Sequence, residues 1–129
     1  MNKFILAIDD SPWRYDFFTT LTPTVLGACI ECVTLHINKA SGILLDYDLD
    51  GEEECICGIP LTGPHKSTTY LNLIKQRKLP TIITSRSQFQ NREYLFEQLK
   101  EHVPVIQIPA QEVYCEYAWL GWLYRNKAL

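Results

Sequence analysis

Short apolar runs alternate along the chain with longer segments of helical period. Residues 4–8, Phe-Ile-Leu-Ala-Ile, form an unbroken apolar run that stops at Asp9-Asp10, the pattern of a strand buried on both faces. Ser11-Pro12 reads as a helix start, because serine caps orphan amides and proline at the first helical position forfeits no hydrogen bond. This helix is expected to reach about Leu21, with Trp13, Phe17 and Leu21 on its inward face, and Thr22-Pro23 to stop it. A second strand is expected over residues 29–35, and a third over 43–45 before Asp46-Tyr-Asp48-Leu-Asp50. Residues 51–65 carry glycine and proline throughout and read as a loop. Tyr70, Leu71, Leu73 and Ile74 make a helical stripe that ends at Leu79-Pro80, and residues 81–83 make a fourth strand leading into Thr84-Ser85-Arg86-Ser87. An amphipathic helix over 88–102, with Tyr94, Leu95 and Leu99 inward, precedes a fifth strand over 103–108 and a last helix over 112–125.

Five apolar strands separated by helices predict an α/β fold: one domain over residues 1–129, a doubly wound parallel five-stranded sheet with an enlarged loop after the third strand. The second crossover does not fit this plan, since residues 36–41 are too few for a helix between strands two and three. In such sheets the functional site lies at the carboxyl ends of the strands, beside the topological switch point.

Composition narrows the functional classes. Twelve basic against 15 acidic side chains give a formal charge of −3, which argues against a sequence-independent nucleic-acid binder. No apolar run approaches the roughly 18 residues of a membrane span, and none resembles a signal peptide. Five cysteines in a chain of 129 residues, an odd number, fit reduced thiols in a cytoplasmic protein better than a disulfide framework.

The strand ends carry the chemistry. Strand one ends in Asp9 and Asp10, strand three in Asp46 and Asp48, and strand four in Thr84 and Ser85. If strands one and three are neighbours, these carboxylates share one crevice, where two like charges ~4 Å apart repel by about 4 kcal/mol at an effective dielectric near 20. Such a group needs a cation or a shared proton, and hard oxygen ligands suit Mg²⁺. A carboxylate beside the cation can attack a phosphoryl group, with a nearby hydroxyl binding the transferred oxygens. Any single aspartate here, Asp50 before Gly51 among them, reads more readily as a turn residue than as a ligand. Acidic residues clustered at several strand ends are not what turn chemistry alone produces.

Ile-Leu-Ala-Ile-Asp9-Asp10-Ser-Pro, Ile-Leu-Leu-Asp46-Tyr-Asp48-Leu and Pro80-Thr-Ile-Ile-Thr84-Ser85 resemble, in order and spacing, the response-regulator receiver domain. The Leu-Asp-Tyr-Asp-Leu stretch is similar to divergent receiver-like proteins of phages and bacteria that carry Leu-Asp-His-Asp-Leu, some of them proposed to process cyclic phosphates. The resemblance implies the flavodoxin-like strand order 2-1-3-4-5, Mg²⁺ held by Asp9, Asp10 and Asp46, a phosphoryl group accepted on Asp46, and Thr84 as switch hydroxyl. It also implies a phosphodonor as partner. The family's lysine at the end of strand five is replaced by Gln107 or Ile108, which removes one stabiliser of phosphoryl charge. Residues 51–65 exceed the usual connection there, and loops beyond roughly 12–15 residues tend to be lids or binding elements.

Two other classes stay open. Asp46-Tyr-Asp48 and Thr84-Ser85-Arg86 are similar to the first two motifs of haloacid-dehalogenase phosphatases. That likeness implies a small Mg²⁺-dependent phosphohydrolase in which Asp46 attacks, Asp48 serves as general acid/base, and Thr84, Ser85 and Arg86 bind phosphate. Against it, a strand and a helix precede the nucleophile. The third class is a pseudo-receiver that only binds a protein. Cys55, Cys57 and His65 share the long loop and are possible zinc ligands if a fourth joins them, whereas Cys29 and Cys32, read as strand residues, point to opposite faces. The 112–125 helix leaves almost no polar face, which suggests a homodimer or a protein partner docked there. With the chain closing at Leu129, soon after that helix, signalling by contact is expected.

Overall fold

The structure is a computed structural model, and it describes residues 3–49, 54–61, 66–114 and 117–129. Its strands are β1 (Ile5–Ile8), β2 (Thr24–Gly27), β3 (Gly42–Leu45), β4 (Thr81–Ile83) and β5 (Val105–Gln107). The α-helices are α1 (Pro12–Thr19), α2 (Ile30–Ile37), α3 (Leu71–Arg77), α4 (Phe89–Leu99) and α5 (Ala118–Arg125), with 3-10 turns at Ser67–Tyr70 and Glu112–Tyr114. All neighbouring strands are parallel, in the order β2-β1-β3-β4-β5.

Strand alternation divides the core into two layers. Leu6 and Ile8 of β1, Ile43 and Leu45 of β3 and Ile83 of β4 face α2, α3 and α4, where Val33, Ile37, Ile74, Leu95 and Leu99 meet them. Ile5, Ala7, Leu44 and Ile82 point the other way, onto Phe18 of α1 and Trp119 and Leu123 of α5. These runs are apolar throughout because both faces of the sheet are covered.

Several boundaries differ from those the pattern predicts. The second strand is Thr24–Gly27, and residues 29–35 belong instead to the cap and body of α2. Cys29, Val33 and Ile37 recur at spacing four and are all buried, the helical stripe that the β-branched content of this run disguised. The shift also resolves the short crossover, for α2 is itself the β2–β3 connection. On α1 the inward face is Arg14 and Phe18; Trp13 is 59% exposed, and Phe17 and Leu21 are half-buried. In α4, Leu95 and Leu99 face inward as the period requires, but Tyr94 is exposed. The last segment is divided: a 3-10 turn buries Val113, and α5 buries Trp119 and Leu123 but leaves Tyr117 and Tyr124 exposed.

In the enlarged connection after β3, antiparallel bridges join Asp48 to Lys66 and Glu54 to Pro60. Asp50 and His65 lie outside the described residues. Among the described residues no helix is long and apolar enough to cross a membrane.

Candidate functional site

The sheet register builds the site. Ile8 pairs with Leu45 and Leu45 with Ile83, so the next residues along the three strands, Asp9, Asp46 and Thr84, share the following rung. Backbone bonds fix them there: Asp46 N donates to Ile8 O at 3.0 Å and Thr84 N to Leu45 O at 3.0 Å. Asp9 and Asp46 flank the boundary between β1 and β3, where the chain direction across the sheet reverses. Carboxylate oxygens of Asp9, Asp10 and Asp46 lie within 4.8 Å of one another.

Local geometry then tunes each group. Asp9 is buried, and its Oδ1 accepts the Ser11 N–H at 2.9 Å, which starts the turn into α1. Ser11 caps that helix by accepting from Arg14 N, with Pro12 in the first turn. Asp46 Oδ1 accepts its neighbour Tyr47 N–H at 2.8 Å. Ser85 Oγ accepts from Tyr47 N and Ser87 N, and its hydroxyl is hydrogen-bonded to Asp46.

Arg14 is the residue that the sequence pattern did not single out. It is 4% exposed, and its Nε lies 3.0 Å from Asp9 Oδ2, close but poorly aligned for a hydrogen bond. The same guanidinium donates through Nη2 to Thr84 O at 2.7 Å and to Thr84 Oγ1 at 3.1 Å. A lone arginine in the first turn of a helix looks like a surface residue in sequence. Only the docking of α1 over the strand ends makes it the internal cation of the crevice.

Protonation follows from this crowding. Burial pushes Asp9 up to about 7; the Arg14 charge and the Ser11 N–H oppose the rise, and the charges of Asp46 and Asp10 add to it. Burial likewise raises Asp46 to about 6, against the Ser85 hydroxyl, Arg14 and the Tyr47 N–H, with Asp10 adding to the rise.

The crevice opens into a cavity of about 360 Å³ lined by Asp10, Trp13, Arg14, Asp46, Asp48 and Arg86, among others. A second cavity of about 290 Å³ shares Arg86 and Ser87 with it and adds Ser85 and Arg92. Carboxylate and guanidinium groups thus line the first cavity together, and Arg86 is common to both. Asp9, Asp10, Asp46, Asp48, Thr84, Ser85 and Arg86, the residues named from the sequence for phosphoryl chemistry, all lie at these strand ends or line the cavities beside them, with one difference in kind: Asp48 is paired with Lys66 at the loop base, and the Lys66 ammonium lies 5.8 Å from the Tyr47 ring centre.

No protein-family model matches the sequence, and no curated protein does either. Structure is more informative. The CheY-like response regulator receiver domain protein from Methanospirillum hungatei JF-1 superposes with a TM-score of 0.63 over 98% of both chains, at 14% identity. The fold is that of a response-regulator receiver domain. A second match, with a TM-score of 0.57 and 16% identity, is a yeast Spc42 trimeric coiled coil, residues 181–211, fused to another solved structure. It covers 98% of this chain and 79% of that one, too much to lie on the coil segment alone.

Within this receiver-like frame the end of β5 is neutral. Gln107 Nε2 donates to Glu93 Oε2 at 2.9 Å, and neither Gln107 nor Ile108 lines either of these two cavities. Positive charge reaches the crevice instead from Arg14 on α1 and Arg86 after β4.

Proposed function

We propose that the protein is a receiver-like phosphoryl acceptor, with Asp46 as the residue that takes the phosphoryl group. The observation that carries this reading is the shared rung of Asp9, Asp46 and Thr84, with Asp10 alongside, at the switch point of the sheet. The donor set fits Mg²⁺: three carboxylates with oxygens within 4.8 Å, two of them raised by burial to a point where a hard cation would relieve the cost of ionisation. Asp9, Asp10 and Asp46 would hold it, and when bound it supplies neutralising charge to the phosphoryl oxygens.

The remaining chemistry belongs to the chain. An Asp46 carboxylate oxygen attacks the phosphorus of an acyl phosphate; the new P–O bond forms as the donor's P–O bond breaks, and the electron pair leaves on the donor carboxylate. Thr84 and Ser85 present hydroxyls to the transferred oxygens, and Arg86 adds charge from the cavity wall. Arg14, by gripping Asp9 and Thr84 together, stands in position for the missing lysine. A phosphoryl group on Asp46 would compete for the guanidinium that Thr84 now holds, and that exchange is the proposed switch.

Asp48 lines the same cavity two residues beyond Asp46, which favours hydrolysis of the aspartyl phosphate or of a small phosphate ester as a second reading. Output is by contact, through the α5 side where Tyr117 and Tyr124 remain exposed to a protein partner or a second copy. The site of action is the cytoplasm, where such donors and reduced thiols coexist.

The test is intact mass after incubation with Mg²⁺ and acetyl phosphate, with phosphate release followed in parallel. An adduct in the native chain that is absent from Asp46→Asn is the expected result. Release without an adduct, lost in Asp46→Asn, would establish the hydrolytic reading. Neither adduct nor release, or an adduct that persists in Asp46→Asn, overturns Asp46 as acceptor.

A further inference from the structure

A second cluster of ligating side chains lies apart from the acidic crevice. Cys29 is the N-cap of α2, with extended backbone (φ −83°, ψ 163°), and its Sγ accepts the Cys32 N–H at 3.4 Å. Cys32 is in the first turn of that helix. Cys55 and Cys57 come from the enlarged connection after β3, on a tight turn closed by Gly58 N to Cys55 O and Cys55 N to Ile59 O, both 2.8 Å. Gly58 supplies the left-handed φ of +91° that this turn requires. Two segments distant in sequence thus converge on one point.

The distances discriminate between the roles that thiols can play. Cys29 Sγ is 3.5 Å from Cys57 Sγ, Cys55 Sγ is 3.6 Å from Cys32 Sγ, and all four sulfurs lie within 4.8 Å of one another. A disulfide needs about 2.05 Å, so these are separate thiols. Four sulfurs held about 2.3 Å from a central zinc ion form a tetrahedron with edges of about 3.8 Å, a value the cluster brackets. We propose that Cys29, Cys32, Cys55 and Cys57 form a structural tetrathiolate zinc site that staples the connection after β3 to the start of α2.

The surroundings suit thiolates. Backbone N–H groups of Cys57, Ala28 and Cys29 are directed at the Cys55 sulfur. Amide groups directed at ligand sulfurs are the outer support that orients a metal centre. The segment before the cap is itself fixed, since buried Tyr70 donates its hydroxyl to Ala28 O at 2.6 Å. Four protein ligands leave no open position, so the role is structural rather than catalytic. The stapled connection is the one that returns through Lys66, the partner of Asp48 at the edge of the crevice.

The full chain, purified without chelator and under reducing conditions, should contain one equivalent of zinc by elemental analysis and native mass spectrometry. Cobalt(II) in its place should give sulfur-to-metal charge-transfer absorption and the visible bands of a tetrahedral site. Cys57→Ser, at an exposed position, and Cys29→Ser should each lose stoichiometric metal, with circular dichroism confirming that the variants are folded. The proposal fails if the reduced native chain takes up neither zinc nor cobalt. It fails equally if zinc survives both substitutions, if iron is bound in preference, or if the cysteines are isolated as disulfides whose reduction creates no metal site.

Discussion

The acidic crevice and the thiol cluster solve the same problem in opposite ways. Each gathers three or four ionisable side chains into a space of less than 5 Å. The crevice is assembled by sheet register at the ends of β1, β3 and β4, and the chain supplies part of the compensating charge itself, through Arg14. The thiol cluster is assembled by a helix cap and a loop turn; burial apart, the leading influences on Cys29 and Cys55 are backbone N–H groups and other sulfurs. A built-in guanidinium keeps a site folded yet open to a ligand that can displace it. A cluster of four soft donors instead suits a permanent metal.

Removing the internal cation breaks the comparison hardest. Arg14→Ala leaves Asp9 buried without its partner and should cost about 3–5 kcal/mol, read from the urea midpoint at neutral pH. The pair Asp9→Asn with Arg14→Met, which removes both charges, should recover most of that loss. If Arg14→Ala is as stable as the native chain, the guanidinium does not hold the crevice.

Acidity gives the next largest effect. Asp9 and Asp46 titrate at about 7 and about 6 in the folded chain against 3.8 unfolded, so the folded state binds their protons more tightly. That contribution is complete below the unfolded value and is lost as pH rises through the folded ones. Metal-free protein should therefore be more stable at about pH 5 than at about pH 8, by on the order of 2–4 kcal/mol. Saturating Mg²⁺ should flatten the profile, because it favours the ionised carboxylates. Thermal melts across the range would show it, and a metal-free profile rising toward high pH would contradict the assignment.

The smallest effect tests the bridge between the two regions. Lys66 and Asp48 are 35% and 44% exposed, so Lys66→Ala should cost only about 0.5 kcal/mol and leave zinc content unchanged. A loss of several kcal/mol would show that this pair, rather than the thiols, fastens the connection.

Much of the fold was legible because both faces of the sheet are covered. Residues 4–8, 43–45 and 81–83 had to be near-continuous apolar runs, and they end at the acidic and hydroxyl residues that line the crevice. Residues 29–35 misled because isoleucine, valine and threonine favour strands in isolation, whereas the sheet had room only for Thr24–Gly27 and left the following stripe to α2. That single displacement hid the thiol cluster. On a strand Cys29 and Cys32 diverge, but at the cap and in the first turn of a helix they share one end.

The sequence alone determined four of the five strands and the placing of Asp9, Asp10, Asp46, Thr84 and Ser85 at strand ends, since burial period and turn chemistry are local properties. The tertiary structure decided which of those ends share a rung, that Arg14 turns inward to hold Asp9 and Thr84, and that Cys55 and Cys57 meet Cys29 and Cys32. Register and docking join residues tens of positions apart, and no local pattern carries that information.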